Sequence, residues 1–334
     1  MQDNQKLESE DIIMRIAFAG FRHGHIVSLY ETAQQRSDVT IVGCWEEDKA
    51  TREATAQTLN ADFCYADYAA LVGDPAVEVV AIGDYYAKRG ALVIEALKNG
   101  KHVICDKPVC TSLEELDEIE RLTKETGLQV CCMLDLRYME QAAKAKELVA
   151  SGAIGEVKIA TFTGQHCLNY GTRPGWYFED GKHGGTINDI AIHGVDLVRF
   201  ITGKNLTGVE YAKTWNAYAV QVPSFKDCGQ FVANMDGMIM NADVSYAAPS
   251  FNGTLPTYWD FHIWGLDGMI HFNLAENKTE LYKDGGCETF LCNDLAMHYF
   301  EDVAKMIQGE PSLFNTEDVL KSQRQVLTIQ KAAE

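Results

Sequence analysis

Short apolar runs alternate with helix-compatible segments along the first 136 residues. The runs predict strands over residues 16–19, 39–45, 77–82, 102–105 and 130–134. The segments between them predict helices over residues 25–36, 50–59 and 87–99, and a further helix that begins after Ser112 and ends at Gly127. Strands that alternate with helices imply a parallel, doubly wound α/β sheet, whose ligand sites lie beyond the carboxyl ends of its strands.

The pattern changes after a helix predicted over residues 140–150. Longer β-rich runs predict strands over residues 158–164, 208–215, 230–235, 237–246, 260–264 and 269–273. Strands that follow one another without helices predict an α+β domain with a large, mostly antiparallel open sheet, on which a helical segment over 188–202 packs. We therefore predict a disordered extension over residues 1–13, a doubly wound domain over 14–136 and an α+β domain over 137–334.

Composition narrows the classes of partner and of compartment. The chain has 334 residues, a size that fits two domains, and its 48 acidic against 29 basic side chains give a formal charge of −19. Such a surface repels phosphate backbones and anionic membranes. Ten cysteines are spread along the chain without a Cys-x-x-Cys pair, and no apolar stretch approaches the roughly twenty residues of a membrane span. We expect a cytoplasmic protein with reduced thiols and with no nucleic-acid or membrane partner.

The loop after the first predicted strand has a degenerate dinucleotide fingerprint. Gly20 occupies the first glycine position, Arg22 stands at the second, and Gly24 falls one place early for the third. Glu46 closes the second predicted strand, where an acid accepts hydrogen bonds from ribose hydroxyls and repels a 2′-phosphate. The loop therefore favours NAD, with NADP disfavoured. An ordinary strand-to-helix turn, with Glu46 capping the next helix, is the alternative.

Two further segments offer groups for catalysis. Lys107 directly follows the strand predicted over 102–105, where its ammonium can hold a substrate hydroxyl and stabilise charge on its oxygen. Asp189 and His193 are spaced i and i+4, so on an α-helix the carboxylate can orient the imidazole as a base. A solvated lysine and a core histidine satisfied by its own aspartate are the alternatives. A metal site is disfavoured because zinc prefers a denser set of His and Cys ligands; its candidate ligands are His183, Asp189, His193 and Asp196.

A segment between the two catalytic stretches is dense in aromatic and hydrogen-bonding side chains. Such side chains suit a polyol or a sugar, which offers an apolar ring face and many hydroxyls. We expect substrate contacts from His166, Asn169, Tyr170, Arg173, Trp176 and Tyr177. Arg137, just after the last strand of the first half, is also expected to face the crevice. A well-packed surface loop is the alternative for any one of these residues.

From about Arg15 to its C-terminus the chain resembles the Gfo/Idh/MocA family of nicotinamide-dependent oxidoreductases. The resemblance is carried by residues 100–108 (Gly-Lys-His-Val-Ile-Cys-Asp-Lys-Pro), by residues 151–157 (Ser-Gly-Ala-Ile-Gly-Glu-Val), and by the Gly-Gly pair at 184–185 that leads into Asp189-x-x-x-His193-x-x-Asp196. It implies a Rossmann NAD-binding domain over 14–136, and a substrate-binding and oligomerisation domain over 137–334 in a homodimer or homotetramer.

The resemblance also implies a reaction, which is hydride transfer between nicotinamide and a secondary alcohol or ketone of a sugar, glycoside or cyclitol. Lys107 would bind the reacting hydroxyl, His193 would remove its proton, and Asp189 would orient His193 or the substrate. No metal is implied. Two other activities stay open: a glycosidase or lyase that recycles its NAD through a transient keto-sugar, and a dinucleotide-binding regulatory protein.

The chain departs from the family pattern at several positions near the expected cofactor. Asp106 stands where glutamate is commonest, and Asp135 stands where an asparagine precedes Arg137. The family often has a Pro-Asn pair and a histidine after its fourth strand, where this chain has Asp84-Tyr85-Tyr86 and Arg89. We expect cofactor contacts from Gly20, Arg22, His23, Gly24, Glu46, Asp84, Tyr85, Asp106 and Lys107. As a hypothesis, Arg22 and His23 replace backbone contacts to the pyrophosphate with charged ones.

Overall fold

The computed structural model describes residues 13–249 and 255–334, which fold around two sheets. The predicted extension over 1–13 lies outside these residues, except for the exposed Ile13. The strands of the first sheet are β1 (Met14–Ala19), β2 (Val39–Trp45), β3 (Val79–Ile82), β4 (His102–Cys105) and β5 (Val130–Cys132). Its helices are α1 (Gly24–Gln34), α2 (Lys49–Leu59), α3 (Tyr68–Gly73), α4 (Tyr86–Lys98) and α5 (Leu113–Thr126). Every pair of strands is parallel, as predicted, and the six-residue α3 was not predicted.

The strand order of the first sheet decides where a ligand can bind. The order is β2-β1-β3-β4-β5, so the chain leaves β1 in one direction to form β2 and returns on its other side to form β3. The crevice of a doubly wound sheet opens at this switch point, beyond the carboxyl ends of the strands. Gly20 follows β1 there, and Asp84 follows β3. Both strands are buried on their two faces, which is why they appear in the sequence as unbroken apolar runs.

The second sheet has eight strands in the order β13-β12-β11-β10-β6-β9-β8-β7. These strands are β6 (Val157–Cys167), β7 (Leu206–Trp215), β8 (Cys228–Met235), β9 (Met238–Ala248), β10 (Tyr258–Gly265), β11 (Met269–Asn273), β12 (Lys278–Lys283) and β13 (Gly286–Leu291). The helices that accompany it are α6 (Glu140–Ala150), α7 (Ile192–Thr202), α8 (Tyr299–Gln308) and α9 (Thr316–Ala332). Only β6 and β9 pair in parallel, so the prediction of a mostly antiparallel sheet is confirmed. The sequence interpretation missed β12, β13, α8 and α9.

The helical segment predicted over 188–202 is observed, and only the winding of its first turn differs from an α-helix. A π-helical turn, Ile187–Ala191, comes before α7. Its wider i to i+5 winding changes the angle between successive side chains. Residues four apart stay within about 40° of each other around the axis in either winding, so the π-turn by itself does not separate Asp189 from His193.

The C-terminal helix α9 contacts both sheets' domains. The side chain of Gln323 accepts a hydrogen bond from the backbone N–H of Val109 at 2.9 Å, and the hydroxyl of Thr316 accepts one from Val130 at 3.0 Å. The predicted division at residue 137 separates the two sheets, but α9 belongs to both packing units. Across residues 13–249 and 255–334, no helix is both long enough and apolar enough to span a membrane.

Candidate functional site

Gly20 lets the chain turn tightly at the end of β1. Its φ is +81°, and a Cβ built on it would lie 2.7 Å from the backbone nitrogen of Asp84. The loop is held to the neighbouring strand ends by hydrogen bonds from Gly20 N–H to the carbonyl of Trp45 and from Arg22 N–H to that of Gly83, both 2.9 Å. Asp84 is buried against this turn, and its carboxylate lies 3.0 Å from Nζ of Lys88.

The start of α1 offers a cradle for a phosphate group. The first backbone N–H groups of a helix have no partner within the helix, and here the preceding residue, His23, gives no side-chain cap. A Cβ on Gly24, the first residue of α1, would meet nothing within 4 Å, so this end of the helix is open. The positive end of the helix and its free N–H groups fit the pyrophosphate of a dinucleotide.

Glu46 supports the loop with both of its carboxylate oxygens. One carboxylate oxygen accepts from Phe21 N–H and the other from Asp48 N–H, both at 2.8 Å, and the residue is only 1% exposed. Arg22 covers it, with Nε 3.6 Å from Glu46 and Nη1 3.1 Å from Asp48. Each oxygen thus accepts one backbone hydrogen bond, and the predicted contact between Glu46 and ribose hydroxyls stays a prediction. Arg22 and Asp48 are the groups that remain accessible here.

The carboxylate of Asp106 contacts three side chains that are cationic or can take up a proton. Its carboxylate lies 2.8 Å from Nδ1 of His23, 3.1 Å from Nδ1 of His25 and 3.1 Å from Nη2 of Arg89. Burial acts to raise the pKa of Asp106, but Arg89 and the two histidines hold it well below its usual range. Burial lowers the pKa of His23 to about 4. For His25, burial is outweighed by the carboxylates of Asp135 and Asp106, which raise its pKa.

Lys107 and Asp189 form a buried ion pair across the crevice. Nζ of Lys107 donates to Oδ1 of Asp189 at 2.7 Å and to its backbone carbonyl at 3.1 Å. The other carboxylate oxygen accepts from the hydroxyl of Tyr246 and lies 3.3 Å from Nε2 of His183. Burial acts to raise the pKa of Asp189, but Lys107 and His183 hold it well below its usual range. Two sequence-predicted residues are thus brought together, while no described hydrogen bond joins Asp189 to His193.

His193 lies beside this pair as an unpaired imidazole. It is buried, and its Nδ1 has no hydrogen-bond partner within the described part of the chain. Its ring contacts those of Trp259 and His25, with centroid distances of 5.4 and 6.2 Å. Burial lowers the pKa of His193 well below its usual range, and the positive charge of Lys107 lowers it further. His193 is therefore neutral at physiological pH.

His166 lies near the same charge and is neutral for similar reasons. Burial, with Lys107 nearby, lowers its pKa to about 4. Its Nδ1 lies 3.3 Å from the carbonyl of Gly164, and its ring meets those of Tyr246 and Trp259. The structure therefore places His166 beside the catalytic candidates, as a substrate-contacting residue requires.

The aromatic segment divides into a buried part and an exposed part. Trp176 and Tyr177 are buried and stacked with centroids 4.1 Å apart, and Nε1 of Trp176 donates to the carbonyl of Arg22 at 3.1 Å. Trp176 therefore connects the second domain to the dinucleotide loop, and its ring lies 6.4 Å from that of Tyr85. The hydroxyl of Tyr177 is 2.7 Å from that of Tyr86. These rings form an internal aromatic wall. They are packed inside the protein and do not present an open face on which a sugar ring could stack.

The aromatic segment also contains Asn169, Tyr170 and Arg173, which lie in different surroundings. Asn169 and Tyr170 lie in an exposed turn, where Asn169 has a φ of +50°. Arg173 donates to the carbonyls of Leu168 and Cys167, and its guanidinium lies 4.5 Å from the ring centre of Tyr177. Arg173 therefore lies beside the wall, while Asn169 and Tyr170 have no described contact with Lys107, Asp189 or His193.

Arg137 does not offer its guanidinium to a substrate, which corrects the prediction. Its Nε and Nη2 bind the carboxylate of Asp196 at 2.7 and 2.5 Å, Nη2 also lies 2.6 Å from Asp318, and Nη1 donates to the carbonyl of Leu313. All its donor nitrogens are thus used in a buried contact with α7, with α9 and with the loop that precedes α9. Because Asp196 is committed to Arg137, the four candidate metal ligands around His193 do not converge.

Sequence reasoning missed several contributors to the site. Tyr246, on β9, gave no local signal, because only the tertiary fold brings it to Asp189. Arg89 was noted as a departure from the family pattern, and its complete burial beneath Asp106 and Lys107 was not foreseen. His183 was considered only as a metal ligand, and no role in the site was predicted for His25.

Comparisons with known proteins agree with this geometry. A family model described as "Oxidoreductase family, NAD-binding Rossmann fold" matches residues 14–134, and one described as "GFO/IDH/MocA C-terminal domain" matches residues 142–271. The levoglucosan dehydrogenase of Pseudarthrobacter phenanthrenivorans is 28% identical over 155 residues, which are 45% of this chain and 39% of that protein. The NAD(+)-dependent scyllo-inositol 2-dehydrogenase of Bacillus subtilis is 30% identical over 164 residues, 48% of this chain and 46% of that protein.

A solved structure shares the whole fold. The crystal structure of an oxidoreductase from Erwinia carotovora atroseptica superimposes with a TM-score of 0.85 at 24% identity, covering 96% of this chain and 99% of that one. The matched regions span less than half the length of the two curated relatives described above. The two family models together match most of the chain, so it belongs to the GFO/IDH/MocA family of oxidoreductases, with an NAD-binding Rossmann domain at its N-terminal end.

Proposed function

We propose that this protein is an NAD-dependent oxidoreductase that interconverts a secondary alcohol and a ketone in a sugar, glycoside or cyclitol. The observation that carries the proposal is the buried Lys107–Asp189 pair beside the neutral, unpaired His193. These groups lie where the carboxyl ends of the first sheet meet the second domain. NAD held by the loop at Gly20 and the start of α1 supplies the acceptor for hydride.

Lys107 is suited to bind the reacting oxygen. An ammonium has three N–H donors, and the structure assigns two acceptors to this one, both on Asp189. One donor remains for a substrate hydroxyl. As the hydroxyl loses its proton, negative charge grows on the oxygen, and a preorganised ammonium in a buried site stabilises that charge. Asp189 acts in this proposal by fixing Lys107, since it has no described hydrogen bond to His193.

His193 is suited to take the proton from the hydroxyl. A general base must be unprotonated and must have a free nitrogen within reach of the proton. Burial and Lys107 keep the imidazole neutral, and Nδ1 has no partner among residues 13–249 and 255–334. In the reverse direction the same imidazole, once protonated, returns the proton to a carbonyl oxygen.

The substrate class rests on the relatives and on the polar groups of the crevice. The two curated relatives are named for levoglucosan and scyllo-inositol, an anhydro-sugar and a cyclitol. His166 and Arg173 lie beside Lys107, Asp189 and Tyr246, and offer polar groups for the other hydroxyls of such a ring. The exposed Asn169 and Tyr170 are proposed to contact the outer part of the substrate.

The test is NADH absorbance during incubation with NAD and a panel of hexoses, inositols, uronates and aryl glycosides. We expect one class of compound to reduce NAD. Lys107→Met and His193→Gln should each lower kcat by about 10²-fold or more while binding NAD normally by fluorescence. The matched controls Lys98→Met and His298→Gln replace an exposed lysine and an exposed histidine and should retain activity.

Two results would contradict the proposal. Near-normal turnover in Lys107→Met or His193→Gln would remove their catalytic roles. Consumption of a glycoside without accumulation of NADH, although NAD is required, would show an internally recycling lyase or glycosidase in place of a net dehydrogenase.

A further inference from the structure

A second cluster of titratable side chains lies on the second sheet, away from the dinucleotide loop. Asp260 and His262 are two residues apart on β10, so they project from the same face. His271 on β11 pairs directly with His262, and Glu280 on β12 pairs directly with His271. The four side chains therefore form one group across three adjacent strands.

The opposite face of these strands holds the cluster in place. The residues between and beside the cluster point into the core and are almost fully buried: Phe261, Ile263, Ile270, Phe272 and Leu281. Such packing fixes the register of β10, β11 and β12, because a slip of one residue would bring the charged set into the core. The relative positions of the cluster side chains are thus set by the rigid sheet.

The nitrogen and oxygen atoms of the cluster converge on one point. Nε2 of His271 lies 2.8 Å from Oδ1 of Asp260, and Nδ1 of His262 lies 3.5 Å from Oδ2. One ligand atom from each of the three residues falls within 4.8 Å of the others. Tetrahedral Zn²⁺ with bonds of about 2.0 Å separates its ligand atoms by roughly 3.3 Å, so small side-chain movements would complete the site.

The second nitrogen of His271 has the partner that a metal-bound histidine needs. Nδ1 of His271 lies 3.0 Å from Oε2 of Glu280, and Nζ of Lys278 in turn lies 3.0 Å from the other oxygen of Glu280. Histidines that bind metals almost always donate their other ring N–H to a carboxylate, which fixes the tautomer and the orientation of the ring. With Nδ1 held by Glu280, Nε2 of His271 is the nitrogen that would bind a cation, in place of its present contact with Asp260.

We propose that Asp260, His262 and His271 bind one Zn²⁺ ion on this face of the second sheet, with Glu280 positioning His271. Two imidazoles and one carboxylate form a ligand set that suits zinc, and the fourth position is open to water because the side chains are 18% to 33% exposed. A bound ion crosslinks β10 and β11. The site is separate from Lys107, Asp189 and His193, so it does not depend on the proposed activity.

The proposal is tested by isothermal titration of the full chain with ZnCl₂ after treatment with EDTA and dialysis. We expect one Zn²⁺ per chain in the wild type. His262→Gln and Asp260→Asn each remove a ligand and should weaken binding at least 10-fold. Glu280→Gln keeps all three ligands and should weaken binding about 10- to 100-fold through the orientation of His271.

Exposed thiols and the cluster of His23, His25 and Asp106 are competing sources of zinc binding. His25→Gln tests the cluster and should bind Zn²⁺ like the wild type, and serine variants test the thiols. Cys64 and Cys287 are both exposed, and Cys64→Ser and Cys287→Ser should bind Zn²⁺ like the wild type.

The proposal is overturned if the wild type binds no Zn²⁺, if His262→Gln binds as tightly as the wild type, or if His25→Gln or the serine variants abolish binding. Circular dichroism of each variant confirms that the chain is folded, and Glu280→Gln gives an independent test with every ligand retained.

Discussion

The buried pair of Lys107 and Asp189 should make each charge depend on the other for its stability. Lys107→Met removes the ammonium and keeps the length of the side chain. Within residues 13–249 and 255–334, the buried Asp189 carboxylate then keeps Tyr246 and His183 as its side-chain partners. Asp189→Asn leaves the Lys107 ammonium without a countercharge. We expect each single change to lower the free energy of unfolding. The sum of these two losses should exceed the loss measured for the double variant.

The magnitude follows from the separation and burial of the two groups. Unit charges 2.7 Å apart attract by about 6 kcal/mol at an effective dielectric constant of 20, while desolvation costs several kcal/mol per ion. Attraction and desolvation therefore nearly cancel in the intact pair. Removal of one partner lowers the free energy of unfolding by about 3–5 kcal/mol, because the other group stays buried and charged. The double variant contains neither charge, so its loss should be smaller than the sum of the single losses by about 1–3 kcal/mol.

The assay is urea unfolding at pH 7 without NAD or substrate, for the wild type, the two single variants and the double variant. Lys49→Met is the control, since Lys49 and Glu53 form an exposed pair at 3.6 Å that should contribute less than about 1 kcal/mol. Single losses that add to the double loss within about 0.5 kcal/mol would refute the coupling.

The same pair predicts a direction of pH dependence. The pKa of Asp189 is lower in the folded protein than in the unfolded chain, where it is about 3.9. The stabilisation is therefore complete above about pH 4 and is lost as pH falls through the folded pKa. In Lys107→Met the ammonium is gone and burial acts to raise the pKa of Asp189, so the folded variant takes up a proton and regains stability as pH falls. We expect the stability difference between the wild type and Lys107→Met to narrow from pH 8 towards pH 5, and a difference that stays constant over this range would contradict the assignment.

Two further substitutions test the dinucleotide loop, and a pH profile tests His193 as the general base. Gly20→Ala should lower the free energy of unfolding by more than about 1 kcal/mol in urea, because φ is +81° and a Cβ would lie 2.7 Å from the backbone of Asp84; unchanged stability would contradict this. Trp176→Phe removes the hydrogen bond to Arg22, and the Kd for NAD by fluorescence titration should rise about 2- to 10-fold. The profile of kcat/KM against pH should show no inflection near 6.5, since His193 has a lowered pKa; an inflection there would show an ordinary imidazole.

The parts of the fold that were predicted are those with a strong local pattern. The predicted and observed bounds agree at β2, β4, β11 and α6, where an apolar run or a helical period is bounded by polar or turn residues. The helix α9 was missed for a physical reason. Its buried face includes Gln323, Gln325 and Gln330, which bind backbone groups of both domains and interrupt the apolar stripe of Val319, Leu320, Val326 and Leu327.

The sequence by itself determined that Gly20, Asp84, Asp106 and Lys107 meet at one edge of a sheet. This follows because the carboxyl ends of parallel strands lie side by side, and local patterns locate those ends. Asp189 and His193 were identified as catalytic candidates from their spacing of four residues and from the family resemblance.

Only the tertiary structure decided which partner each of these side chains has. Asp189 binds Lys107 and Tyr246 in place of His193, Arg137 binds Asp196, and Glu46 binds the backbone of its own loop. Such pairings depend on distances of a few tenths of an ångström between groups that are often far apart in the chain. A helical spacing shows which residues share a face, but a lysine that follows one distant strand and a tyrosine on another decide which partners the carboxylate of Asp189 has.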